Sequence, residues 1–220
     1  MKKTLQSMRQ PSVSPLDRLV ASADNALRTL LVRQPQAARD NPAVSKAQSL
    51  GDSERRLSGG LMRINHAGEV AAQALYQGHA LVARSDRLHQ QLQHAAEEEF
   101  DHLAWCRARL DELGEAPSLL NPAWYAGAYA IGAASGLVGD QWGLGFIDET
   151  ERQVAEHLEG HIQKLPADDQ RSREILRTMK EEEEAHGQNA RDAGAASLPA
   201  PIKGVMRAAA AIMKAGAYRI

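Results

Sequence analysis

A chain of 220 residues with 28 acidic and 26 basic side chains is close to neutral, so neither a basic field for nucleic acid nor a polyanionic tail organises it. Its length allows one domain with a sizeable buried core and an extension. The single cysteine, Cys106, excludes an internal disulfide framework and a cysteine-based structural zinc site, which fits a reducing compartment.

Residues 1 to 15 are polar, with Pro11 and Pro15 and no apolar run; they read as a mobile lead-in and not as a secretory signal. From Pro15 to Val32, the apolar residues Leu16, Leu19, Val20, Leu27, Leu30 and Leu31 recur at helical spacing. They predict a short amphipathic helix, read as a strut packed on the main domain in preference to a membrane-surface contact. Residues 33 to 52, with Pro35, Asn41, Pro42 and Gly51, read as a linker. The chain thus divides into an extension, 1–52, and a domain, 53–220.

The domain opens with a capping signal at Asp52-Ser53-Glu54-Arg55, and Gly59-Gly60 is expected to delay the first long helix to about Leu61. That helix runs towards Arg84 and carries Asn65, His66 and Glu69. Gly68 leaves room beside Glu69 for a neighbouring backbone or ligand, and His66 is expected in the core or behind a site. A second helix, from about Ser85 to Leu113, ends at Gly114 with Pro117 behind it. It contains Glu97-Glu98-Glu99 and then Phe100-Asp101-His102; Glu97 and Glu98 read as a solvated face.

No charged residue occurs between Ala116 and Gly139. Gly127, Gly132, Gly136 and Gly139 dilute its hydrophobicity, and Asp140 and Gln141 interrupt it. A small-residue helix that packs closely, touches lipid or borders a channel for an apolar substrate explains this better than a membrane span. An ordinary buried helix is the alternative. The next helix, near Leu144 to Gln163, holds Asp148, Glu149, Glu151 and Glu156, among which periodicity does not choose. His157 and His161 follow four apart, His157 with the stronger claim to a functional role. After a loop from Leu165 to Gln170, a helix from about Ser172 to Asp192 carries Glu183 and His186. The tail from Pro201 to Ile220 predicts a last helix with one apolar and one basic face, suited to an anionic bilayer surface or to packing over the bundle.

Two stretches stand out from this order. Glu99 and His102 are three residues apart and share a helix face, and the same pair returns as Glu183 and His186. Glu69 lies 30 residues before Glu99, and Glu151 lies 32 residues before Glu183. Either pair alone is ordinary, whereas two copies at matched spacing define one unit used twice. Carboxylates and neutral imidazoles suit iron or manganese. Four inward-facing helices, two giving a Glu and two giving Glu-x-x-His, make the di-iron carboxylate site of ferritin-like bundles, which predicts an all-α fold.

Asn65-His66-Ala67-Gly68-Glu69, the two Glu-x-x-His pairs and Asp148-Glu149-Thr150-Glu151 together resemble the demethoxyubiquinone hydroxylases of ubiquinone biosynthesis, over about Leu57 to Ile220. The resemblance implies a ferritin-like four-helix bundle with additional membrane-associating helices. It assigns iron binding to Glu69, Glu99, His102, Glu151, Glu183 and His186, with His157 behind them. It implies a di-iron monooxygenase that hydroxylates the ring of a polyprenyl methoxy-methyl-benzoquinone with dioxygen. Two iron ions would cycle between ferrous and ferric, supplied by an external reductant such as one derived from NAD(P)H. It also implies a peripheral protein on the cytoplasmic face of a bacterial-type inner membrane, or a matrix-type equivalent, beside other ubiquinone-biosynthesis proteins. Some members place His-Tyr where this chain has His157-Leu158, a pair linked with electron delivery; the tyrosine's part has no counterpart here. The competing expectations are a ferritin-like iron-binding or iron-oxidising protein without an organic substrate, an oxygenase for another lipophilic or nucleic-acid substrate, and a membrane-associated structural module.

Overall fold

The computed structural model describes residues 14–46 and 49–220, and every regular element among them is a helix. The reading of residues 1 to 13 as a polar lead-in lies outside the described residues. Seven helices follow in order: α1 (Pro15–Leu31), α2 (Asp52–Val82), α3 (Asp86–Leu113), α4 (Asn121–Val138), α5 (Asp140–Lys164), α6 (Gln170–Asp192) and α7 (Ala200–Ala217). Short connections pair α2 with α3 and α5 with α6, and the two pairs form the bundle. The crossover from α3 to α5 carries α4, which packs outside the bundle on α2 and α5, as the single long connection of a ferritin-like fold requires. α7 lies against α2 and α5.

Local chemistry sets the ends. The Ser85 hydroxyl caps α3 by accepting from Leu88 N at 3.2 Å, and Gly114 stops it with φ at 72°, the left-handed conformation that favours glycine. Asp169 caps α6, accepting from Ser172 N at 3.0 Å, while its same oxygen takes a 2.8 Å hydrogen bond from the Arg109 guanidinium.

The first bundle helix starts nine residues earlier than Gly59-Gly60 suggests. Gly51 N donates to Glu54 Oε2 at 2.9 Å and opens the helix there. The glycine pair serves packing instead: a methyl on Gly59 would overlap the Glu115 side chain, and one on Gly60 the Tyr218 ring. α5 likewise begins at Asp140 and not at Leu144, because Gly139 breaks the chain after α4 and its carbonyl accepts from Trp142 N and Gly143 N at 2.9 and 3.0 Å. The segment from 116 to 139 is a closely packed helix, as its small residues suggest. Gly78 on α2 meets the Tyr129 backbone of α4, and Gly132 on α4 meets the Leu75 carbonyl of α2, with no space for a side chain at either. No helix among the described residues is long and apolar enough to cross a membrane.

α1 packs as a strut, but not through its apolar face. Arg18 donates to the Ala83 carbonyl at 2.8 Å and pairs with Asp86 at 3.0 Å, the Ser22 and Tyr129 hydroxyls lie 2.7 Å apart, and Asn25 donates to Gln73 at 2.9 Å. Leu16, Leu19, Val20, Leu27 and Leu31 are exposed, while only Ala26 and Leu30 of its apolar residues join the core. The polar stripe finds buried partners on α2 and α4, and the leucines are left outward.

Two apolar clusters fill the bundle. One joins Met62, Trp105, Leu110, Leu158, Ile175, Leu176 and Met179; the other joins Leu75, Tyr76, Leu88, Leu92, Leu144 and Ile147. In each bundle helix the predicted donors lie between the two along the chain. The apolar clusters, at roughly 1.5–3 kcal/mol for each fully buried large side chain, offset the cost of holding charges in the gap.

Candidate metal centre

Glu69 on α2, Glu99 and His102 on α3, Glu151 on α5, and Glu183 and His186 on α6 all reach this gap, and all six are buried. They fall into two groups, Glu69, Glu99, His102 and Glu183, and Glu99, Glu151, Glu183 and His186, whose donor atoms lie within 4.8 Å of one another. Glu99 and Glu183 belong to both groups. The Nδ1 atom of His102 stands 3.3 Å from Glu99 Oε2, 3.3 Å from Glu183 Oε1 and 3.8 Å from Glu69 Oε2. The Nδ1 atom of His186 stands 2.8 Å from Glu99 Oε1 and 3.6 Å from Glu183 Oε2.

On α5 the structure brings the acid that repeat spacing prefers to the cluster. Glu151 enters the cluster, and the Tyr76 hydroxyl donates to its Oε1 at 2.7 Å. Its neighbours are engaged elsewhere: Glu149 is held by Arg152 at 2.5 Å and Lys203 at 3.3 Å, Asp148 by Arg191, and Glu156 by Arg152.

Each imidazole is held from behind by a glutamate of the opposite helix. His102 donates from Nε2 to Glu182 Oε2 at 2.7 Å, and His186 from Nε2 to Glu98 Oε2 at 2.9 Å. This fixes the tautomer that turns a lone pair on Nδ1 toward the cluster once the proton there is given up. Glu97 is solvated as its sequence suggests, but Glu98 is not merely part of that face: its side chain is only 33 % exposed and positions His186. Glu182 was equally hidden in its acidic run. The signal was present one residue upstream of the repeat, since Glu98-Glu99 and Glu182-Glu183 duplicate as pairs.

Arg39, from the segment before α2, closes the outside of one half. It donates to Asp101 Oδ2 at 2.6 Å and Glu182 Oε1 at 2.8 Å, and lies 4.9 Å from the Trp105 ring centroid. Burial disfavours its charge, but Glu182 and Asp101 outweigh that and raise its pKa. Glu182 is held down at about 2, burial being overcome by His102 and Arg39.

The cluster carries the charge pattern of a site made for cations. Burial, reinforced by the charges of Glu183 and Glu99, drives the Glu151 carboxyl well above its ordinary value. Burial does the same to Glu69. Around His102 the opposite happens: burial opposes its charge, but the carboxylates of Glu182, Glu183, Glu69 and Glu99 raise its pKa well above the usual value. His186 is raised to about 12, where Glu183 and Glu99 overcome burial. Without a cation, protons hold the carboxylates together. Glu69 Oε2, both Glu99 oxygens, Glu151 Oε2, Glu183 Oε2 and the Nδ1 atoms of both histidines are buried without an aligned hydrogen-bond partner. Two divalent ions would balance four carboxylates charge for charge and give each of these orphaned atoms a partner. The donor set therefore fits two ions of intermediate hardness, and the thiol of Cys106, buried against Met179, takes no part in it.

The other sequence-flagged histidines lie outside the cluster. His66 accepts at Nδ1 from Asn121 Nδ2 at 3.3 Å, and His161 donates from Nδ1 to Asn65 Oδ1 at 2.8 Å. His157 packs edge-on against His161, its ring centroid 5.0 Å away, and faces an apolar cavity; burial lowers its pKa to about 4 and keeps it neutral. Leu158, next to His157, is fully buried in the core.

An all-helical bundle whose four inward faces supply four carboxylates and two imidazoles defines the class of carboxylate-bridged di-metal proteins. Residues 56–217 match the family model described as ubiquinone biosynthesis protein COQ7, and the chain belongs to that family. It is 52 % identical over 217 residues to the 3-demethoxyubiquinol 3-hydroxylase of Ralstonia pickettii (strain 12J), covering 93 % of this chain and all of that protein. It is 55 % identical over 208 residues to the protein of that name from Xanthomonas oryzae pv. oryzae (strain PXO99A), covering 94 % of this chain and 95 % of the relative. The counterpart in Verminephrobacter eiseniae (strain EF01-2) is 52 % identical over 209 residues.

Proposed function

We propose that this chain is a di-iron 3-demethoxyubiquinol 3-hydroxylase: it inserts one atom of dioxygen into the unsubstituted ring carbon of a polyprenyl methoxy-methyl quinol, the other atom leaving as water with two electrons from an external reductant. The observation that carries this reading is the pairing of the buried six-donor cluster with an apolar cavity of about 700 Å³ beside it. Glu69, Glu99, His102 and Glu183 would hold one ion, and Glu99, Glu151, Glu183 and His186 the other. The bound pair would supply dioxygen reduction, which these side chains cannot perform alone.

The cavity lies between α2, α4, α5 and α7, where Gly68, Trp124, Ile131, Phe146, His157 and Met213 line it. Gly68 precedes Glu69 and leaves open space above its backbone, so a flat ring can approach the cluster at that turn. His157, neutral and with Nε2 free of a hydrogen-bond partner, is placed to bond a ring oxygen. Trp124, Ile131 and Phe146 exclude water from the site and orient the ring.

The substrate's tail gives the outer helices a purpose. α1 exposes five leucine and valine side chains, α4 exposes Ile131, Leu137 and Val138, and α7 exposes Val205 and Ile212. Lys203, Arg207, Lys214 and Arg219 accompany the α7 residues. These faces support peripheral contact with an anionic bilayer, on the cytoplasmic face of a bacterial-type inner membrane, through which a polyprenyl tail can remain in lipid. A ferritin-like iron-oxidising protein would need the cluster but not the cavity.

The test is anaerobic loading with ferrous iron, then labelled dioxygen, reductant and a short-tailed demethoxyquinol. One labelled oxygen in the product, lost in Glu99→Ala and Glu183→Ala, is the expected result. Two irons that bind and oxidise while the quinol stays unchanged would refute the substrate.

A further inference from the structure

The two halves of the donor set are built alike and enclosed differently. His102 is fully buried, and the glutamate behind it, Glu182, lies under Arg39. The corresponding glutamate behind His186, Glu98, lines a second cavity, of about 720 Å³, between α3, the start of α5 and the end of α6. Tyr76 and His186 form its inner wall, and the Tyr76 hydroxyl reaches through to Glu151 in the cluster. Glu98 spans the wall: Oε2 accepts from His186, while Oε1 is turned toward the exposed His94 at 3.9 Å. Asp140 and Asp192 also line the cavity, so its charged lining holds three carboxylates against the one guanidinium of Arg87. The charged lining of the apolar cavity has the opposite balance, Arg207 and Lys214 against the single carboxylate of Glu156, and disfavours a cation.

We propose that the acidic cavity is the port through which divalent metal ions reach and leave the centre, with Glu98 as the carboxylate that draws them to its inner wall, where they pass His186 beside Tyr76. The position formed by Glu151 and His186 then exchanges readily. The position formed by Glu69 and His102, covered by the ion pair of Glu182 and Arg39, exchanges slowly. This rests on the reading that the six donors hold two ions.

The experiment loads the full chain anaerobically with ferrous iron, counts the bound equivalents, then mixes it with excess chromogenic ferrous chelator and follows colour in a stopped-flow instrument. Release in two phases of one equivalent each, separated by at least about tenfold in rate, is expected, since the acidic cavity reaches the imidazole of one position while an arginine ion pair covers the imidazole of the other. Asn189→Trp, at an exposed cavity-lining position that is not a donor, should slow the fast phase about tenfold and leave the slow one unchanged. Glu98→Gln should slow uptake of the fast equivalent by a similar factor, and Arg39→Gln should speed the slow phase. Far-ultraviolet circular dichroism confirms that each variant is folded. A single release phase, a fast phase indifferent to Asn189→Trp, or slowing by Ala210→Trp in the apolar cavity instead would overturn the port. Fewer than two irons bound at the outset would instead refute the six-donor reading, before any rate is measured.

Discussion

Replacing Glu151 by glutamine should stabilise the metal-free protein while removing one of its two metal positions. In the folded chain Glu151 is 1 % exposed, accepts from Tyr76 through one oxygen, and has no partner at the other. Burial and the neighbouring charges of Glu183 and Glu99 raise its carboxyl well above the ordinary 4.5, so folding takes up a proton there. Such a group favours the fold fully below its unfolded value, and that contribution is lost as pH rises towards the folded value. Each pH unit in that window is worth about 1.4 kcal/mol. Glutamine keeps the acceptor for Tyr76, offers an amide proton toward the unpaired Glu183 oxygen, and needs no proton from solvent. Its advantage over wild type should therefore grow between pH 5 and pH 6.5, by no more than about 1.4 kcal/mol per pH unit. Urea unfolding of chelator-treated protein at the two pH values measures this directly. With iron bound the order should invert, because ions that bind only the folded state stabilise wild type more than a variant lacking a ligand. A variant less stable than wild type in the metal-free state at both pH values would show that Glu151 serves the fold and not a cation.

Gly132→Ala places a methyl on the Leu75 carbonyl and should cost about 1–3 kcal/mol, lowering the thermal midpoint by several degrees as measured by calorimetry. Arg39→Gln leaves the buried Asp101 carboxylate with only the Ala38 amide as a close partner; because Arg39 is 37 % exposed, the expected loss is about 1–3 kcal/mol, below that of a fully buried pair, checked by urea unfolding. Leu137→Asp with Val138→Asp, both at well-exposed positions on α4, should weaken co-sedimentation with anionic vesicles by at least about tenfold while leaving iron stoichiometry at its wild-type level. Unchanged vesicle binding would remove α4 from the membrane face.

The donors were legible because a helix converts spacing into direction: two residues three apart must share a face, and the matched upstream glutamates fix which acids join them. The same paired units implied an all-helical chain, and the glycines of the 116–139 segment made a closely packed helix one of its readings. What escaped was the use of residues that sequence treats as interchangeable. Glu97 and Glu98 differ by 100° of helical rotation, which puts one in water and the other behind His186, and only the placement of α6 decides which. Arg39 sits in an irregular stretch where no periodicity exists to read. α1 reversed the usual rule: its Arg18, Ser22 and Asn25 met matching groups on α2, α3 and α4, and those directional bonds set its rotation with the leucines outward. Gly59 and Gly60 looked like a pause and proved to be recesses for other side chains.

The contact between α2 and α4 has a mechanical meaning. Where Gly78 and Gly132 bring backbone against backbone, no flexible side chain lies between the helices to absorb a displacement. A load applied at the outward residues Ile131 or Val138 is therefore carried into α2 as through a rigid coupling. Leu75, at the point of contact, is six residues from Glu69 on the same continuous helix, roughly 9 Å along its axis. Lateral pressure on the outer helix would thus be carried into the helix that bears Glu69.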